Sequence, residues 1–287
     1  MNSSIRTDLA SESTQAIENE GSLPEGIEKS QRQEHGFEIT RIDIKTKSAQ
    51  ELIGKPCGTY YTLRGEGLSC ESEDTKNRIE LLAEIISSLC KNIDSALIMG
   101  LGNRQITPDS IGPKVCDKII ATRHIKLLAK DFDTEGLLNI TAVSPGVLGQ
   151  TGIEAGDIAK ALVEKTRPDI VIAVDALACS ELSNLGCTIQ LCDTGIVPGS
   201  GVENARRELS EKTLGVPCIA IGIPTVIDMD TIAFQKTGVA PEKTSQMMVT
   251  PRNIDALTDK ASRLISMAIN KALNPDMPLE QIMLLSS

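Results

Sequence analysis

Hydrophobic and polar positions follow two alternating patterns along most of this chain. Short apolar runs predict strands, and apolar residues recurring every three or four positions predict helices. Because the two patterns alternate from residue 71 onward, the sequence indicates an α/β fold with helices on both faces of a sheet. Strands are predicted at 37–44, 58–63, 96–99, 139–143, 169–174, 187–192 and 217–221, and helices at 71–91, 112–127, 155–166 and 253–273.

We therefore expect a three-layer α/β/α domain of the phosphorylase or hydrolase type, with a mostly parallel or mixed central sheet. A small N-terminal decoration containing β-structure is expected beside it. The first 35 residues are rich in Ser, Glu and Gln and are interrupted by Gly21, Pro24 and Gly26. Such a composition is typical of a mobile extension. Residues 36–287 are predicted to form a single catalytic domain.

Composition narrows the possible partners and the compartment. The net charge of -10 and the aromatic content of 2% disfavour direct nucleic-acid binding, which needs clustered basic residues and stacking rings. No segment reaches the roughly 20 apolar residues of a membrane span, and residues 1–10 lack a secretory core, so we expect a cytoplasmic protein that does not contact a membrane. The eight cysteines include no Cys-x-x-Cys pair and are interpreted as reduced, buried residues. We expect no metal and no cofactor.

Two aspartates carry the candidate chemistry. Asp109 lies just before a predicted helix that follows the strand at 96–99, and Asp175 ends the apolar run at 169–174. Strand ends of one sheet meet at a common edge, where open α/β folds usually bind their ligands. Two carboxyl groups there can act as general base and general acid on a peptide bond. For Asp109 alone, a helix N-cap is the simpler interpretation.

Several polar loops are expected to surround the same edge and to form a peptide cleft. Other kinds of site fit less well. The turn at Gly100 lacks the third glycine of a dinucleotide-binding fingerprint, and the Asp-Thr-Gly triplet of pepsin-like proteases occurs only once, at 193–195. The chain has only two histidines, which disfavours a serine or cysteine hydrolase. The candidate cleft residues are Gly102, Asn103, Gly146, Gln150, Thr151, Asp193 and Ser200.

Several ordered motifs together resemble the germination (spore) protease family. They are Arg6-Thr-Asp-Leu-Ala, Gly100-Leu-Gly-Asn, Thr107-Pro-Asp-Ser-Ile-Gly-Pro, Pro145-Gly-Val-Leu-Gly-Gln-Thr-Gly-Ile-Glu, Asp175-Ala-Leu-Ala, the run 188–201, Gly222-Ile-Pro-Thr-Val-Ile-Asp and Met248-Val-Thr-Pro. The resemblance covers nearly the whole chain. It departs from the family in length, because the segment between Asp228 and Met248 is short where the family often carries an insertion.

The resemblance implies an atypical aspartic endopeptidase that degrades small acid-soluble DNA-protecting proteins during spore germination. It implies that Asp109 and Asp175 are the catalytic pair, and that the protein is a homotetramer in the spore core. It also implies a zymogen with a propeptide of residues 1–8. Thr7-Asp-Leu-Ala-Ser-Glu resembles the stretch cut in the family's substrates, which predicts self-cleavage between Asp8 and Leu9.

Two other functions remain open at this point. A hydrogenase-maturation endopeptidase would share a related fold and a Gly-x-Gly-Asn opening, but no histidine here lies in a strand-end loop. A non-catalytic module could use the same sheet edge to bind a peptide or a nucleoside. Chelator sensitivity would separate the first from the proposed protease, and binding without cleavage would identify the second.

Overall fold

The computed structural model describes residues 7–66, 68, 74–128, 134, 136–199, 207–239 and 247–286. The strands are β1 Ile27–Glu34, β2 Phe37–Ile44, β3 Gly58–Gly65, β4 Ser95–Gly100, β5 Asn139–Val143, β6 Ile170–Cys179, β7 Thr188–Cys192, β8 Cys218–Asp228 and β9 Met248–Val249. The α-helices are α1 Ala10–Glu20, α2 Lys47–Ile53, α3 Thr75–Leu89, α4 Ile111–Cys116, α5 Arg123–Leu128, α6 Leu148–Thr151, α7 Ala155–Thr166, α8 Glu211–Leu214, α9 Met229–Thr237, α10 Ile254–Leu273 and α11 Leu279–Leu285.

The nine described strands form one mixed sheet in the order β1-β2-β3-β7-β8-β6-β4-β5, with β9 beside β8. Strands β8, β6, β4 and β5 are parallel, and the β1-β2-β3 meander joins them through the antiparallel strand β7. The predicted α/β fold with a mixed sheet and flanking helices is confirmed. None of the described helices has the combination of length and apolar content that a bilayer crossing requires.

Each face of the sheet buries its own set of side chains because successive strand residues point to opposite faces. Ile172, Ile221 and Leu191 lie on the face that packs against α3, α4 and α10. Val171 and Ala173 lie on the opposite face, which α7 covers near β4 and β6. Helices α1 and α2 cover that same opposite face near β2, β3 and β7. This second face carries the candidate site.

The N-terminal segment is packed against the sheet, which corrects the expectation of a mobile extension for the residues that the structure describes. Helix α1 lies on the sheet, with Ala10 and Thr14 fully buried. Strand β1 pairs with β2 along its whole length. Polar composition predicted mobility here, but the helix gains its stability from tertiary packing rather than from its own sequence.

Several element boundaries also differ from the predicted ones, and β8 continues to Asp228 instead of ending at Ile221. Strand β6 continues to Cys179, so Asp175 lies inside the strand and not at its end. The continuation follows from residues 176–179 being apolar and pairing with β8. The helix predicted from Gly112 to Leu127 is broken into α4 and α5, since the Thr122 side chain and backbone bond to strand β5 instead. Leu127 is exposed as a result.

Candidate active site

Asp109 is held beside the end of β4 by a compact turn. After β4, the Leu101 N–H donates to the carbonyl of Val174 at 2.8 Å, which ties the turn to β6. Gly102 then adopts a φ of +104°, and a Cβ there would lie 2.2 Å from the Asp109 carbonyl oxygen. The Asn103 N–H donates to Asp109 Oδ2 at 2.8 Å. Asp109 closes the 3₁₀ turn Thr107–Asp109, so its carboxyl group has a defined position.

Asp175 occupies a buried position in the middle of the sheet. It is 4% exposed, and its Oδ1 accepts a hydrogen bond from the Ala176 N–H at 2.9 Å. Because side chains alternate along β6, Asp175 shares a face with Ala173 and Leu177, which is the face covered by α7 and α1. A carboxylate here is out of bulk water and next to the groups that line the same face.

The structure brings the two predicted aspartates to one cavity of about 350 Å³. Asp109, Asp175 and Asp8 all line it. The cleft candidates Gly102 and Gly146 also line this cavity. Residues 109 and 175, far apart in sequence, therefore face one space together with the residue that precedes the predicted cleavage bond.

The chain around that bond is held by hydrogen bonds to β6 and β7. The Asp8 N–H donates to the Ala178 carbonyl at 3.0 Å, and the Ala178 N–H donates to Asp8 Oδ2 at 2.8 Å. Gln190 Nε2 donates to the Asp8 carbonyl at 2.9 Å, and Gln190 Oε1 accepts from the Ala10 N–H at 2.7 Å. Leu9 has extended backbone angles (φ -81°, ψ 122°), so the Asp8–Leu9 bond lies just outside helix α1.

Apolar packing and a partly buried lysine also hold this segment in place. Leu9 is 0% exposed and packs in one cluster with Leu177 and Ile227. On the other side, Lys55 Nζ donates to the Thr7 carbonyl at 2.9 Å. Burial lowers the pKa of Lys55, and the charge of nearby Asp8 opposes that shift.

Glu12 anchors the segment through a set of donors that we call the Glu12 cage: Thr7, Ser180, Glu181 and Asn184. Its Oε2 accepts from the Ser180 N–H and the Ser180 hydroxyl, each at 2.7 Å, and from the Thr7 hydroxyl. Its Oε1 accepts from the Glu181 N–H at 2.9 Å and from Asn184 Nδ2 at 2.7 Å. A carboxylate that is 7% exposed is thus fully hydrogen-bonded, as a buried charge requires.

The other cleft candidates fall into different places. Gln150 Nε2 donates to Asn103 Oδ1 at 2.9 Å, which links helix α6 to the loop that holds Asp109. The Thr151 hydroxyl bonds within its own turn, to the Ile153 carbonyl. Asp193 accepts from the Thr59 N–H at 2.8 Å, so it fastens β3 and does not line the cavity. Ser200 lies outside the described residues, although the preceding residues 196–199 line the cavity.

The cysteines of the described part are all free thiols. Burial raises the pKa of the Cys116 thiol to about 12 and raises those of Cys179 and Cys192, which keeps them protonated near neutral pH. Within the described residues, no three His, Cys, Asp or Glu side chains form a group that could hold a metal ion.

Sequence reasoning missed several residues that contact the N-terminal segment, among them Lys55, Ser180 and Gln190. Gln190 had a detectable signal, because it is a polar residue between Ile189 and Leu191 in a strand. Lys55 and Ser180 had none, since both lie in loops of ordinary composition and only tertiary contacts give them a role.

The fold and the site together define a class: an α/β protein that holds a peptide segment across a sheet face, beside two carboxyl groups. Comparison with known proteins specifies the family. A family model described as Germination protease matches residues 5–239. The germination protease of Clostridium tetani is 38% identical over 318 aligned positions, which cover 97% of this chain and 98% of that protein. The germination protease of Bacillus subtilis is 43% identical over 239 positions, covering 80% of this chain and 65% of that protein.

The chain belongs to the germination protease family and is therefore a peptidase. Among solved structures, a NiFe hydrogenase maturation protease from Thermococcus kodakarensis is similar, with a TM-score of 0.37 and 14% identity. That match covers 64% of this chain and 98% of the other, and it is too weak to support an argument about function.

Proposed function

We propose that this chain is an aspartic-type endopeptidase in which Asp109 and Asp175 are the catalytic pair. The single observation that supports this most is the position of the N-terminal segment. Asp8 lines the same cavity as both aspartates, and the backbone on each side of the Asp8–Leu9 bond is hydrogen-bonded to the sheet face beside them. We infer that this peptide bond is presented to the two carboxyl groups.

In the proposed mechanism, the ionised aspartate takes a proton from water as the water oxygen attacks the carbonyl carbon. The protonated aspartate then gives its proton to the nitrogen of the departing amine as the C–N bond breaks. The products are a carboxylate on the residue before the bond and a free amine on the residue after it. The two carboxyl groups need opposite protonation states, as in other enzymes that use a carboxyl pair.

We propose that the chain first cuts its own Asp8–Leu9 bond. The full-length chain is then a zymogen with a propeptide of residues 1–8. Support comes from the bonding of this segment: Asp8 is bound by the backbone of Ala178, and Leu9 is buried among apolar side chains. A tethered segment also has a high effective concentration at the cleft. The extended backbone at Leu9 keeps the bond outside the helix.

The proposed substrates are the small acid-soluble DNA-protecting proteins of spores, whose degradation this enzyme would initiate during germination. Their cleavage stretch, which Thr7-Asp-Leu-Ala-Ser-Glu resembles, has an acidic residue before the cut and Glu four positions after it. The backbone N–H of Ala178 and the Glu12 cage are suited to bind these two carboxylates. The spore core as compartment and a homotetramer as assembly rest on the family resemblance, and light scattering of the purified protein tests the latter.

The test is intact-mass spectrometry of the purified chain held at mildly acidic and at neutral pH. Loss of residues 1–8 is expected from the unchanged chain and not from Asp109→Asn or Asp175→Asn. Asp117→Asn is the matched control, because Asp117 forms an exposed ion pair with Arg104 and lies outside the cavity. Cleavage by both aspartate variants at the control's rate would refute the assignment. A chain that binds an acidic substrate peptide without ever cutting it would instead be a binding module.

A further inference from the structure

We propose that Gln190 is a third catalytic residue, which binds the carbonyl oxygen of the bond that is cut and stabilises the negative charge that develops on it. This inference rests on the function proposed above. Gln190 is a 7% exposed polar residue that lies between Ile189 and Leu191 in the buried strand β7. Burying an amide costs free energy unless both of its ends are hydrogen-bonded, so its partners indicate what the position is used for.

The strand register places Gln190 at the same level of the sheet as Asp175. Asp175 on β6 lies opposite Gly222 on β8, and Gly222 in turn lies opposite Gln190 on β7. Directly paired residues point to the same face of a sheet, so Asp175 and Gln190 flank Gly222 on one face, roughly 9–10 Å apart across two strand spacings. A Cβ at Gly222 would lie 2.5 Å from Leu177 Cγ, so glycine is what lets Leu177 lie between them.

The segment that carries the Asp8–Leu9 bond lies over this gap. Leu9 packs against Leu177, and both polar ends of the Gln190 amide are used by the residues that flank the bond. The amide orientation is defined by its partners: the Ala10 N–H can only donate, and the Asp8 carbonyl can only accept. Nε2 must therefore face the carbonyl oxygen that would become an oxyanion.

The two hydrogen bonds of Gln190 have different catalytic consequences. When water attacks the Asp8 carbonyl carbon, the oxygen gains negative charge and the bond from Nε2 becomes charge-assisted and stronger. This bond stabilises the transition state more than the ground state, so it raises kcat. The bond from Ala10 to Oε1 involves a peptide N–H that does not react, so it contributes equally to both states and affects KM alone.

The experiment compares Gln190→Glu and Gln190→Leu with Thr62→Val as the matched control. Thr62 lies directly opposite Gln190 on β3, is equally buried, and has a hydroxyl with no hydrogen-bond partner in the structure. Two rates are measured by mass spectrometry: self-cleavage of the full chain, and cleavage of a synthetic peptide copying residues 3–16 by the processed enzyme. Circular dichroism and the thermal midpoint check that each variant folds.

Loss of one oxyanion donor is expected to lower kcat by roughly 10²- to 10³-fold. Gln190→Glu keeps an acceptor for the substrate N–H, so its loss should be in kcat, whereas Gln190→Leu should change both kcat and KM. A folded Gln190→Glu or Gln190→Leu variant that cuts within about threefold of the control would overturn the inference, since threefold is far below the effect of a lost donor.

The same series separates this inference from the proposed function. Activity lost in the Asp109→Asn and Asp175→Asn variants but kept in both Gln190 variants refutes the role of Gln190 alone. Activity kept in the aspartate variants refutes the proposed pair, and Gln190 is then supported only if its own variants still lose kcat. If Gln190→Glu does not fold, the kcat of Gln190→Leu decides the question, because leucine adds no charge to the site.

Discussion

Replacing Glu12 by Gln is expected to loosen the N-terminal segment strongly while leaving its shape almost unchanged. The carboxylate accepts five hydrogen bonds, three on Oε2 and two on Oε1. The amide oxygen of Gln can keep the hydrogen bonds of one carboxylate oxygen. The amide NH₂ group replaces the second oxygen, and because it cannot accept, the hydrogen bonds to that oxygen are lost. At least two bonds to a charged group are lost, each contributing about 1.5–3 kcal/mol, so docking should weaken by roughly 3 kcal/mol or more.

This loss is measurable as hydrogen exchange at the Ala10 amide, whose partner is Gln190 Oε1. A change of about 3 kcal/mol corresponds to a factor on the order of 10² in the opening equilibrium, and the exchange rate should rise by that factor. Glu18→Gln is the matched control, because it makes the same substitution in the same helix but breaks only the ion pair with Lys29, worth about 0–1 kcal/mol. The reasoning is wrong if Ala10 exchanges equally fast in both variants on chains confirmed by mass to be intact.

Three further predictions concern the turn, a carboxyl and a thiol. Gly102→Ala would place a Cβ 2.2 Å from the Asp109 carbonyl oxygen at a φ of +104°, so the turn that holds Asp109 would have to shift. The rate of self-cleavage, followed by mass spectrometry, should fall at least tenfold, which corresponds to a rise of roughly 1.4 kcal/mol or more in activation free energy. Burial and the charge of Glu12 raise the pKa of Glu181, so the contribution of Glu181 to stability is present below its unfolded pKa and is lost as the pH rises through its folded pKa. The thermal midpoint of Glu181→Gln should therefore exceed that of the unchanged chain at about pH 7, and the difference between the two midpoints should shrink toward about pH 4.5. Because burial raises the pKa of Cys116 to about 12, peptide mapping should find this thiol alkylated at about pH 8 only after denaturation.

Local pattern was sufficient to predict most strands and the class of the fold. Strand β2 is recognisable from the alternation of its apolar and polar residues, and β4, β5 and β7 are recognisable because each is a short, largely apolar run. Helices α7 and α10 were likewise found from the period of their buried residues. The order of the strands has no signal in the local pattern. The meeting of Asp109 and Asp175 at one cavity is expected only from the general rule that strand ends share one edge of a sheet.

The role of the N-terminal segment could not be found from local pattern. Glu12 and Thr14 are polar, and polarity predicts exposure, yet both are buried. The Thr14 hydroxyl donates to the Ala10 carbonyl within helix α1, whereas most donors to Glu12 come together only in the folded chain. Apart from Thr7, the donors to Glu12 begin at Ser180, 168 positions further along the sequence. Such a long-range polar contact leaves no periodic signal, and only the resemblance of residues 7–12 to a cleavage stretch indicated that the segment had a use.

The Glu12 cage also has a consequence for the order of events after self-cleavage. Cutting the proposed bond would release residues 1–8, and Thr7 with them. Glu12 belongs to the part that stays attached, so its carboxylate can continue to accept from Ser180, Glu181 and Asn184. A substrate with an acidic residue at the equivalent position would then compete with a tethered group at an effective concentration in the millimolar range.

In a processed chain beginning at Leu9, Glu12→Gln should therefore lower the KM for the peptide copying residues 3–16. The same substitution weakens docking in the precursor, so it should slow self-cleavage wherever docking limits the rate. If processed Glu12→Gln and processed Glu18→Gln have the same KM, the idea that Glu12 competes with the substrate is wrong. Helix α1 would then leave the donors of Glu12 by itself once the bond is cut.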